Sequence, residues 1–288
     1  MFSWFFDRFF ALKRLKGKQI KMTNLKDKVA AVFAASGAIS SAVAQAFARH
    51  GAKVYVSGRD IKKVRALADE IKRSGGVAIP AKVDAMNEAE IGQFLGQIVA
   101  DNKRLDIVFN GIGLTGDDYG SDIPATDLPF VKFMAAFEAH CGSQFLTARA
   151  AAKYMISSGS GGTILTLTAA LSRGKFPNRS GLAVACTAIE GLTRSLAAEF
   201  GKHEIKVICL NATALADTPR IQESFQKYAK SAGVAPEVIA ATLTQQNLLK
   251  TSVTLQQVAE TAAFLVSDSG VTFNSHIVDA DGGKFNVI

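Results

Sequence analysis

The stretch "KVAAVFAASGAISSAVAQAFARHGAKVYVSGRD", from Lys28 to Asp60, decides the fold. It begins with an apolar run at Val29–Ala34, continues through a turn with serine and glycine, and enters an alanine-rich helical pattern at Ala38–His50. A second apolar run follows at Lys53–Ser57. Because two buried strands joined by a helix run parallel to each other, this stretch predicts the first strand–helix–strand unit of a parallel sheet.

The same alternation continues along the chain. Further strands are expected at Val77–Val83, Leu105–Asn110, Gly162–Thr168, Ile205–Asn211 and His276–Asp279. Helices are expected at Ile61–Ser74, Glu88–Asn102, Phe130–Ser157, Gly181–Gly201 and Leu255–Ser267, with a variable helical region at Asp217–Lys250. This pattern predicts an α/β protein with a doubly wound parallel sheet flanked by helices on both faces. No repeat or linker divides residues 22–288, so we expect a single domain there.

The composition is that of a folded protein in a reducing compartment. Apolar residues make up 48% of the 288 residues and charged residues 20%, which allows a full hydrophobic core. Three cysteines, Cys141, Cys186 and Cys209, are an odd number in apolar surroundings. They favour free thiols and a cytoplasmic location over a disulfide framework. No group of residues has the spacing of metal ligands, so no metal is expected.

The net charge of +8 is concentrated at the amino terminus, where residues 1–21 hold six basic side chains and one acidic side chain. The remainder lacks a basic run interleaved with aromatic residues, which argues against nucleic acid as a partner. The basic aromatic extension over residues 1–21 is too short and too charged to span a bilayer. We expect either that Met22 is the true start or that the extension packs on a partner subunit. A membrane-surface helix is the alternative.

Several motifs occur in a fixed order along the chain. They are "HGAKVYVSGRD", "VDA", "LDIVFNGIG", "GSQFLTARAAAKYM", "GGTILTLTAALS", "EGLTRSLAAEFG" and "VDADGG". In this order and at this spacing, the chain resembles the short-chain dehydrogenases/reductases (SDRs) over residues 25–285. The resemblance implies a Rossmann-like domain, a nicotinamide nucleotide and a small-molecule substrate. It does not by itself establish activity.

By this resemblance, the glycine-rich nucleotide turn of the family falls on "FAASGAIS", Phe33 to Ser40. The residues at its three glycine positions are Ala34, Ala38 and Ser40. A β-carbon at the second of these positions would crowd a dinucleotide. We expect Ser36, Gly37 and Ile39 to bind phosphate through the serine hydroxyl and the free N–H groups at the helix start. The alternative is a turn that has lost tight nucleotide binding.

The resemblance also assigns residues to the adenosine end of the nucleotide. Gly58 stands where NAD-preferring relatives carry an acid, and Arg59 follows it, which predicts NADP(H). Asp84 matches the position that contacts adenine, and Asn110 with Gly113 matches the turn beside the adenine ribose. The structural alternatives are that Arg59 is a solvated charge and that Asp84 caps the next helix.

At the nicotinamide end, Thr218 stands where relatives contact the carboxamide. The more favoured interpretation of Thr218 is the N-cap of a helix that has Pro219 in its first turn.

The four catalytic positions of the family, which carry tyrosine, lysine, serine and asparagine, are all replaced here. The residues at these positions are, in the same order, Leu182, Cys186, Ala169 and His140. Tyr119 and Tyr154 lie outside the catalytic positions. Because the phenol and the ammonium that exchange a proton with substrate are missing, the ordinary family mechanism is not expected.

Other residues offer candidate chemistry. His140 and Cys186 are expected at the same pocket floor, where an imidazole beside a thiol would create a nucleophile or a proton relay. Arg173 and Arg179 lie in the loop that borders the substrate pocket, where a guanidinium could polarise an oxyanion or hold an acidic substrate. Each arginine could equally be a solvated loop charge.

Three hypotheses follow. The chain is an atypical NADP(H)-linked oxidoreductase acting on an activated substrate, or a non-catalytic protein that keeps the fold and the nucleotide for assembly or sensing, or an enzyme using Cys/His chemistry without a hydride. By resemblance, the helices predicted at Phe130–Ser157 and Gly181–Gly201 form a subunit interface, so a homo-oligomer (dimer or tetramer) is expected. The sequence does not identify the substrate.

Overall fold

A computed structural model of the chain describes residues 23–113 and 116–283. The predicted extension over residues 1–21 lies outside these ranges, as do the two ends of the predicted domain over residues 22–288. The described residues form a seven-stranded sheet in the order β3-β2-β1-β4-β5-β6-β7, with every neighbouring pair parallel. The predicted single-domain, doubly wound, Rossmann-like α/β fold is therefore confirmed.

The elements alternate along the chain as the sequence predicts. The strands are β1 (Val29–Phe33), β2 (Lys53–Gly58), β3 (Val77–Lys82), β4 (Ile107–Asn110), β5 (Gly162–Ala169), β6 (Ile205–Ala212) and β7 (Ile277–Ala280). The α-helices of the described residues are α1 (Ala38–Arg49), α2 (Ile61–Arg73), α3 (Glu88–Asn102), α4 (Phe130–Phe137), α5 (Ser143–Ser158), α6 (Ser180–Phe200), α7 (Pro219–Ala232), α8 (Pro236–Gln245) and α9 (Leu255–Val266).

Each face of the sheet is covered by three helices. Side chains of β1 alternate between the faces, as they must in a strand. Ala30 and Val32 join the core formed with α1, α2 and α9, whereas Ala31 and Phe33 join the core formed with α3, α5 and α6. Phe33 meets Phe94 of α3 edge to face, with ring centroids 5.4 Å apart. The nearly unbroken apolar run of β1 is thus explained by burial on both sides.

One helix that was predicted to be continuous is interrupted in the structure. The stretch predicted as a continuous helix, Phe130–Ser157, consists of α4, a π-helical segment at Glu138–Gly142, and α5. A π-helical turn inserts one extra residue per turn, and such turns are often found at functional sites. Here the turn carries His140, so the direction of this side chain does not follow from ordinary helical spacing.

The order in which strands are added to the sheet switches sides at β1. The chain moves from β1 to β2 and β3 on one side and then continues from β4 on the other side. Phe33 at the end of β1 is aligned with Asn110 at the end of β4. In open α/β folds the loops after two such strands diverge and form the crevice in which ligands bind, so the candidate site is expected at this carboxyl edge of the sheet.

The turn after β1 contains a strained residue. Ala34 has a φ of +52°, a left-handed conformation that costs an L-residue with a β-carbon about 1–2 kcal/mol. The turn is held in place by the Ala35 N–H, which donates to Ser57 O over 2.8 Å, and by the Gly37 N–H, which donates to Ala34 O over 3.0 Å. The sheet thus imposes on Ala34 a conformation that glycine adopts freely.

We expect Ala34→Gly to raise the free energy of unfolding by about 0.5–1 kcal/mol, because relief of the left-handed strain exceeds the added entropy of the unfolded chain. Urea unfolding followed by circular dichroism measures the change. The matched control is Ala66→Gly on the exposed face of α2, where the same substitution should lower stability by about 1 kcal/mol. Equal losses in both variants would contradict strain at Ala34.

Candidate active site

The first part of the crevice is an open, polar turn at the start of α1. Ser36, Gly37 and Ala38 are exposed, and Ile39 is half-buried against the core. Gly37 is the N-cap residue, and no side chain caps the helix. The N–H groups of the first turn of α1 are therefore available to an anion in the crevice, as free helix N-termini are for phosphate groups.

Ser40, at the third glycine position, is directed into the protein. It is buried, and its hydroxyl has no hydrogen-bond partner among the described residues. The hydroxyl lies against Gly111, where a β-carbon would come within 2.3 Å of it. Ser40 therefore fills the contact between α1 and the loop after β4. A larger residue at position 111 would therefore force this hydroxyl to move.

The end of β2 presents a cation beside this turn. Arg59 is exposed and forms no ion pair within the described ranges. The acid next to it, Asp60, is turned toward α2, where it accepts the N–H groups of Lys62 and Lys63 over 3.0 and 3.3 Å. A β-carbon on the buried Gly58 would lie 3.2 Å from a Val64 methyl and 3.6 Å from the Ser36 hydroxyl, so this position has little room for a side chain.

Asp84 lies near the carboxyl end of β3 and does not cap α3, so the capping interpretation is wrong. Its carboxylate accepts the Met86 N–H over 3.0 Å in a local turn. The cap of α3 is Asn87, whose side-chain oxygen accepts the N–H groups of Ala89 and Glu90. Asp84 is half-buried at the edge of the crevice.

Asn110 makes its contacts inside the protein. Its side-chain oxygen accepts the Ile112 N–H over 2.9 Å, and its nitrogen donates to Ser143 and Thr147 of α5 over 3.3 and 3.1 Å. Asn110 is 3% exposed. Its side chain therefore shapes the turn that leads to Gly113 and is not free to bind a ligand directly.

Gly113 lies beside a cluster of polar side chains. A β-carbon at Gly113 would lie 3.2 Å from a terminal nitrogen of Arg220 and 3.6 Å from Cε1 of His140. Arg220 is in the first turn of α7, and His140 is in the π-helical segment. The structure thus brings together two predicted residues, Gly113 and His140, and adds Arg220, which the sequence analysis missed.

Tyr119, which the sequence analysis set aside, belongs to the same cluster. Its hydroxyl accepts a hydrogen bond from Arg220 over 3.4 Å, and its ring meets the His140 ring edge to face at 6.4 Å. It is 7% exposed and packs in one apolar cluster with Leu182 and Cys186. The signal that could have identified Arg220 is its position two residues after Thr218, but no local pattern identifies Tyr119.

His140 is held in its neutral form. Burial of the ring, and then the positive charge of Arg220, lower the pKa of His140 to about 4. Its Nε2 is buried and has no hydrogen-bond partner among the described residues. A neutral imidazole with one unpartnered nitrogen can accept or donate a hydrogen bond to a bound molecule but is not a cation at neutral pH.

The predicted Cys186–His140 pair is not supported. Burial raises the pKa of the Cys186 thiol, while burial lowers the pKa of His140. A thiolate–imidazolium pair would require the opposite shift of each group. The Cys186 thiol is 2% exposed and belongs to the apolar cluster of Tyr119 and Leu182. Cys186 is therefore a buried, unreactive thiol.

The two candidate loop arginines are held by carboxylates. Arg173 contacts Asp279 over 2.6 Å and Glu190 over 3.4 Å, so its guanidinium is not free to hold a substrate. Arg179 contacts Asp122 over 3.1 Å and lies 5.3 Å from the centroid of the Tyr228 ring. Arg179 joins the loop after β4 to α7 in this way and stabilises the wall of the crevice.

Thr218 occupies the N-cap position of α7, but its hydroxyl does not cap the helix. It donates to Leu215 O over 2.7 Å, and no side chain caps α7. The favoured interpretation of Thr218 was therefore right in position and wrong in hydrogen bonding. Pro219 begins the helix as predicted.

Comparison with known proteins agrees with this architecture. The model of a family described as enoyl-(acyl carrier protein) reductase matches residues 33–284. The chain belongs to the SDR family. It is 26% identical over 259 residues to 7alpha-hydroxysteroid dehydrogenase of Escherichia coli K12, covering 90% of this chain and 94% of that protein. It is 27% identical to short chain aldehyde dehydrogenase 1 of Euphorbia lathyris, covering 90% and 88%.

Solved SDR structures have the same fold. A 7alpha-hydroxysteroid dehydrogenase complexed with NADH and 7-oxo glycochenodeoxycholic acid superimposes with a TM-score of 0.79 at 26% identity, covering 90% of this chain and 95% of that one. Sorbitol-6-phosphate 2-dehydrogenase of Erwinia amylovora gives 0.83 at 24% identity, covering 90% and 99%. Within the described parts of this SDR chain, no helix is long and apolar enough to cross a membrane.

We expect the stability of the protein to depend on pH through His140. Its pKa of about 4 in the folded state lies below the ordinary 6.5, so protonation favours the unfolded chain. Stability is therefore lost as pH falls from 6.5 toward 4, with a slope that approaches about 1.4 kcal/mol per pH unit. The measurement is urea unfolding of the wild type and of His140→Gln across this range. Parallel curves for the two proteins would contradict the shift.

Proposed function

We propose that this SDR chain is an NADP(H)-linked oxidoreductase that works with residues other than the usual tyrosine, lysine, serine and asparagine of the family. The observation that carries the proposal is the exposed Arg59 beside the crevice. Its neighbour Asp60 is engaged with the start of α2, so the place where a nucleotide 2′-phosphate would lie has a cation and no competing carboxylate. A guanidinium binds phosphate through charge-assisted hydrogen bonds.

The remaining crevice residues fit a dinucleotide. Ser36, Gly37 and Ile39 would hold the pyrophosphate at the uncapped start of α1. Asp84 would accept from the adenine amino group, and Gly113 would lie beside the adenine ribose. The buried side chain of Asn110 stabilises that turn by accepting the Ile112 N–H. At the far end, Thr218 and the first turn of α7 would border the nicotinamide. When bound, the reduced nucleotide supplies a hydride to the substrate.

The proposed substrate is a small molecule with a carbonyl group or an activated double bond. Leu182 has no proton to give, and the pKa of the Cys186 thiol is raised by burial, so neither residue assists the reaction. The name of the 26%-identical relative, a hydroxysteroid dehydrogenase, is consistent with carbonyl chemistry. The solved 7alpha-hydroxysteroid dehydrogenase structure contains NADH, and our preference for NADP(H) rests on Arg59 and Gly58.

A second candidate function is a non-catalytic nucleotide-binding or assembly protein. It is favoured by the packing of Tyr119, Ala136, Leu182 and Cys186 into one buried apolar cluster. Such packing excludes a large substrate from the space between these side chains. The two candidates differ in turnover and not in nucleotide binding, so nucleotide consumption separates them.

We also propose that the chain assembles as a homo-oligomer through α4, α5 and α6. Large apolar side chains on these helices are open to solvent in the single chain. They are Phe130, Val131, Phe145, Ile156 and Val184, which are 75%, 73%, 40%, 40% and 46% exposed. Sedimentation equilibrium should give a dimer or a tetramer, and a monomer at micromolar concentration would contradict this proposal.

A cytoplasmic location is supported by three buried free thiols, Cys141, Cys186 and Cys209.

We expect Arg59→Ala to weaken NADPH binding by about 10- to 100-fold, since a charge-assisted hydrogen bond contributes about 1.5–3 kcal/mol. NADH binding should be unchanged, because NADH lacks the 2′-phosphate. Calorimetric titration of each nucleotide into wild type and variant measures both values. The matched control is Arg65→Ala, which removes an exposed arginine from α2 and should alter neither affinity.

Each result decides a separate point. Equal weakening of NADPH and NADH binding by Arg59→Ala would overturn the assignment of Arg59 to the 2′-phosphate. Absence of binding of either nucleotide to the wild type would overturn the proposed function. Binding without consumption of NADPH across enones, quinones and ketones would favour the non-catalytic candidate.

A further inference from the structure

We propose that Tyr119 is the proton donor of this site and that Arg220 stabilises the charge that develops when the proton leaves. This inference rests on the proposed function, because it supplies the proton for a hydride transfer. It assigns the substrate class as carbonyl compounds, whose oxygen must gain a proton as the carbon gains a hydride.

The position of Tyr119 carries the first part of the argument. It packs in one cluster with Leu182 and Cys186, which by sequence resemblance stand where relatives carry the tyrosine and the lysine. The loop after β4 therefore delivers a phenol to the same region from a different part of the chain. The residue is 7% exposed, so most of its side chain is shielded from bulk water.

No other tyrosine is available for this role among the four in the chain. Tyr55 accepts a hydrogen bond from Asn102 over 2.8 Å, and Tyr154 donates to Gly92 O over 2.8 Å, so both hydroxyls are engaged with α3. Tyr228 packs by its ring against Arg179. Tyr119 alone has its hydroxyl beside Arg220 at the crevice.

The position and the charge of Arg220 are the second observation that supports Tyr119 as the proton donor. Its guanidinium is 3.4 Å from the Tyr119 hydroxyl and lies next to Gly113, at the end of the nucleotide crevice. A hydrogen bond of this length is weak, but catalytic hydrogen bonds are often long before substrate binds. A fixed positive charge stabilises negative charge that develops on a neighbouring oxygen in the transition state.

His140 completes the arrangement by remaining uncharged. Its ring meets the Tyr119 ring at 6.4 Å, and its Cε1 lies 3.6 Å from where a β-carbon of Gly113 would be. Because its pKa is lowered by burial and by Arg220, the guanidinium is the cation of this cluster at neutral pH. The buried, unpartnered Nε2 of His140 leaves a hydrogen-bonding position open for the substrate.

The step balances in atoms and electrons. Bound NADPH would supply a hydride with loss of one C–H bond of its dihydronicotinamide ring, and a new C–H bond would form at the carbonyl carbon as the carbonyl π bond breaks. An O–H bond forms between the carbonyl oxygen and the Tyr119 proton, which leaves a phenolate beside Arg220. The carbonyl compound is reduced to an alcohol and the nicotinamide is oxidised. A proton from solvent restores Tyr119.

The test compares Tyr119→Phe with wild type in NADPH-dependent reduction of acetophenone and of phenanthrenequinone. The ketone needs a proton donor, whereas the quinone is already activated. We expect kcat for the ketone to fall by about 10²–10⁴-fold. The KM and the NADPH affinity should change by less than about threefold, and quinone reduction by less than about tenfold. If Tyr119 had only a structural role, Tyr119→Phe would lower kcat for the ketone and for the quinone to a similar extent.

Three further variants serve as controls for this test. Tyr154→Phe removes a hydroxyl from a tyrosine that contacts α3 and should leave both kcat values unchanged. Arg220→Met should lower ketone reduction, and Arg220→Lys should recover part of it, because lysine keeps the charge. Thermal unfolding of each variant verifies that it is folded.

The outcomes separate this inference from the proposed function. Ketone reduction by Tyr119→Phe within threefold of wild type overturns the assignment, and so does an equal loss on both substrates. A wild type that binds NADPH and reduces only the quinone also overturns it, while the proposed function stands. A wild type that does not bind NADPH overturns the proposed function, and it also overturns the assignment of Tyr119 as proton donor.

Discussion

The side-chain amide of Asn110 is the interaction on which the crevice depends. It ends β4, binds the Ile112 N–H on one side and two hydroxyls of α5 on the other, and is almost fully buried. The turn that leads to Gly113 is thereby fixed to the same helical stretch that carries His140. A buried amide with its groups satisfied costs little, but its loss would leave several buried partners without hydrogen bonds.

The two halves of the crevice differ in character. The half beside β1, β2 and β3 is open and polar, with free N–H groups and the unpaired cation of Arg59 in the described part of the chain. The half beside β5 and α6 is closed by apolar side chains, with Leu182 at its centre. A cluster of polar groups lies where the loop after β4 meets α7. The proposed nucleotide site and the proposed proton donor therefore lie in different parts of the fold.

The sequence was sufficient to predict what depends on local pattern. The alternation of strands and helices, the sheet and the edge that bears the site all follow from apolar periodicity and parallel connection. What was missed depends on contacts between residues distant in the chain. Tyr119 and Arg220 are about a hundred positions apart, and nothing near either residue indicates the other. The π-helical turn at Glu138–Gly142 was missed because its sequence suits an ordinary helix.

The attachment of α7 has a consequence for ionic strength. Among the contacts of the described residues, three that join this helix to the loop after β4 and its surroundings involve a cation: Arg220 with Tyr119, Lys227 with Asp117, and Tyr228 with Arg179. The Lys227–Asp117 pair is largely exposed, so dissolved salt screens it strongly. Salt therefore loosens the hold on α7 without weakening the buried sheet. Ionic strength therefore acts on the charged part of the attachment of α7 and not on the buried apolar side chains of this helix, Phe225 and Ala229.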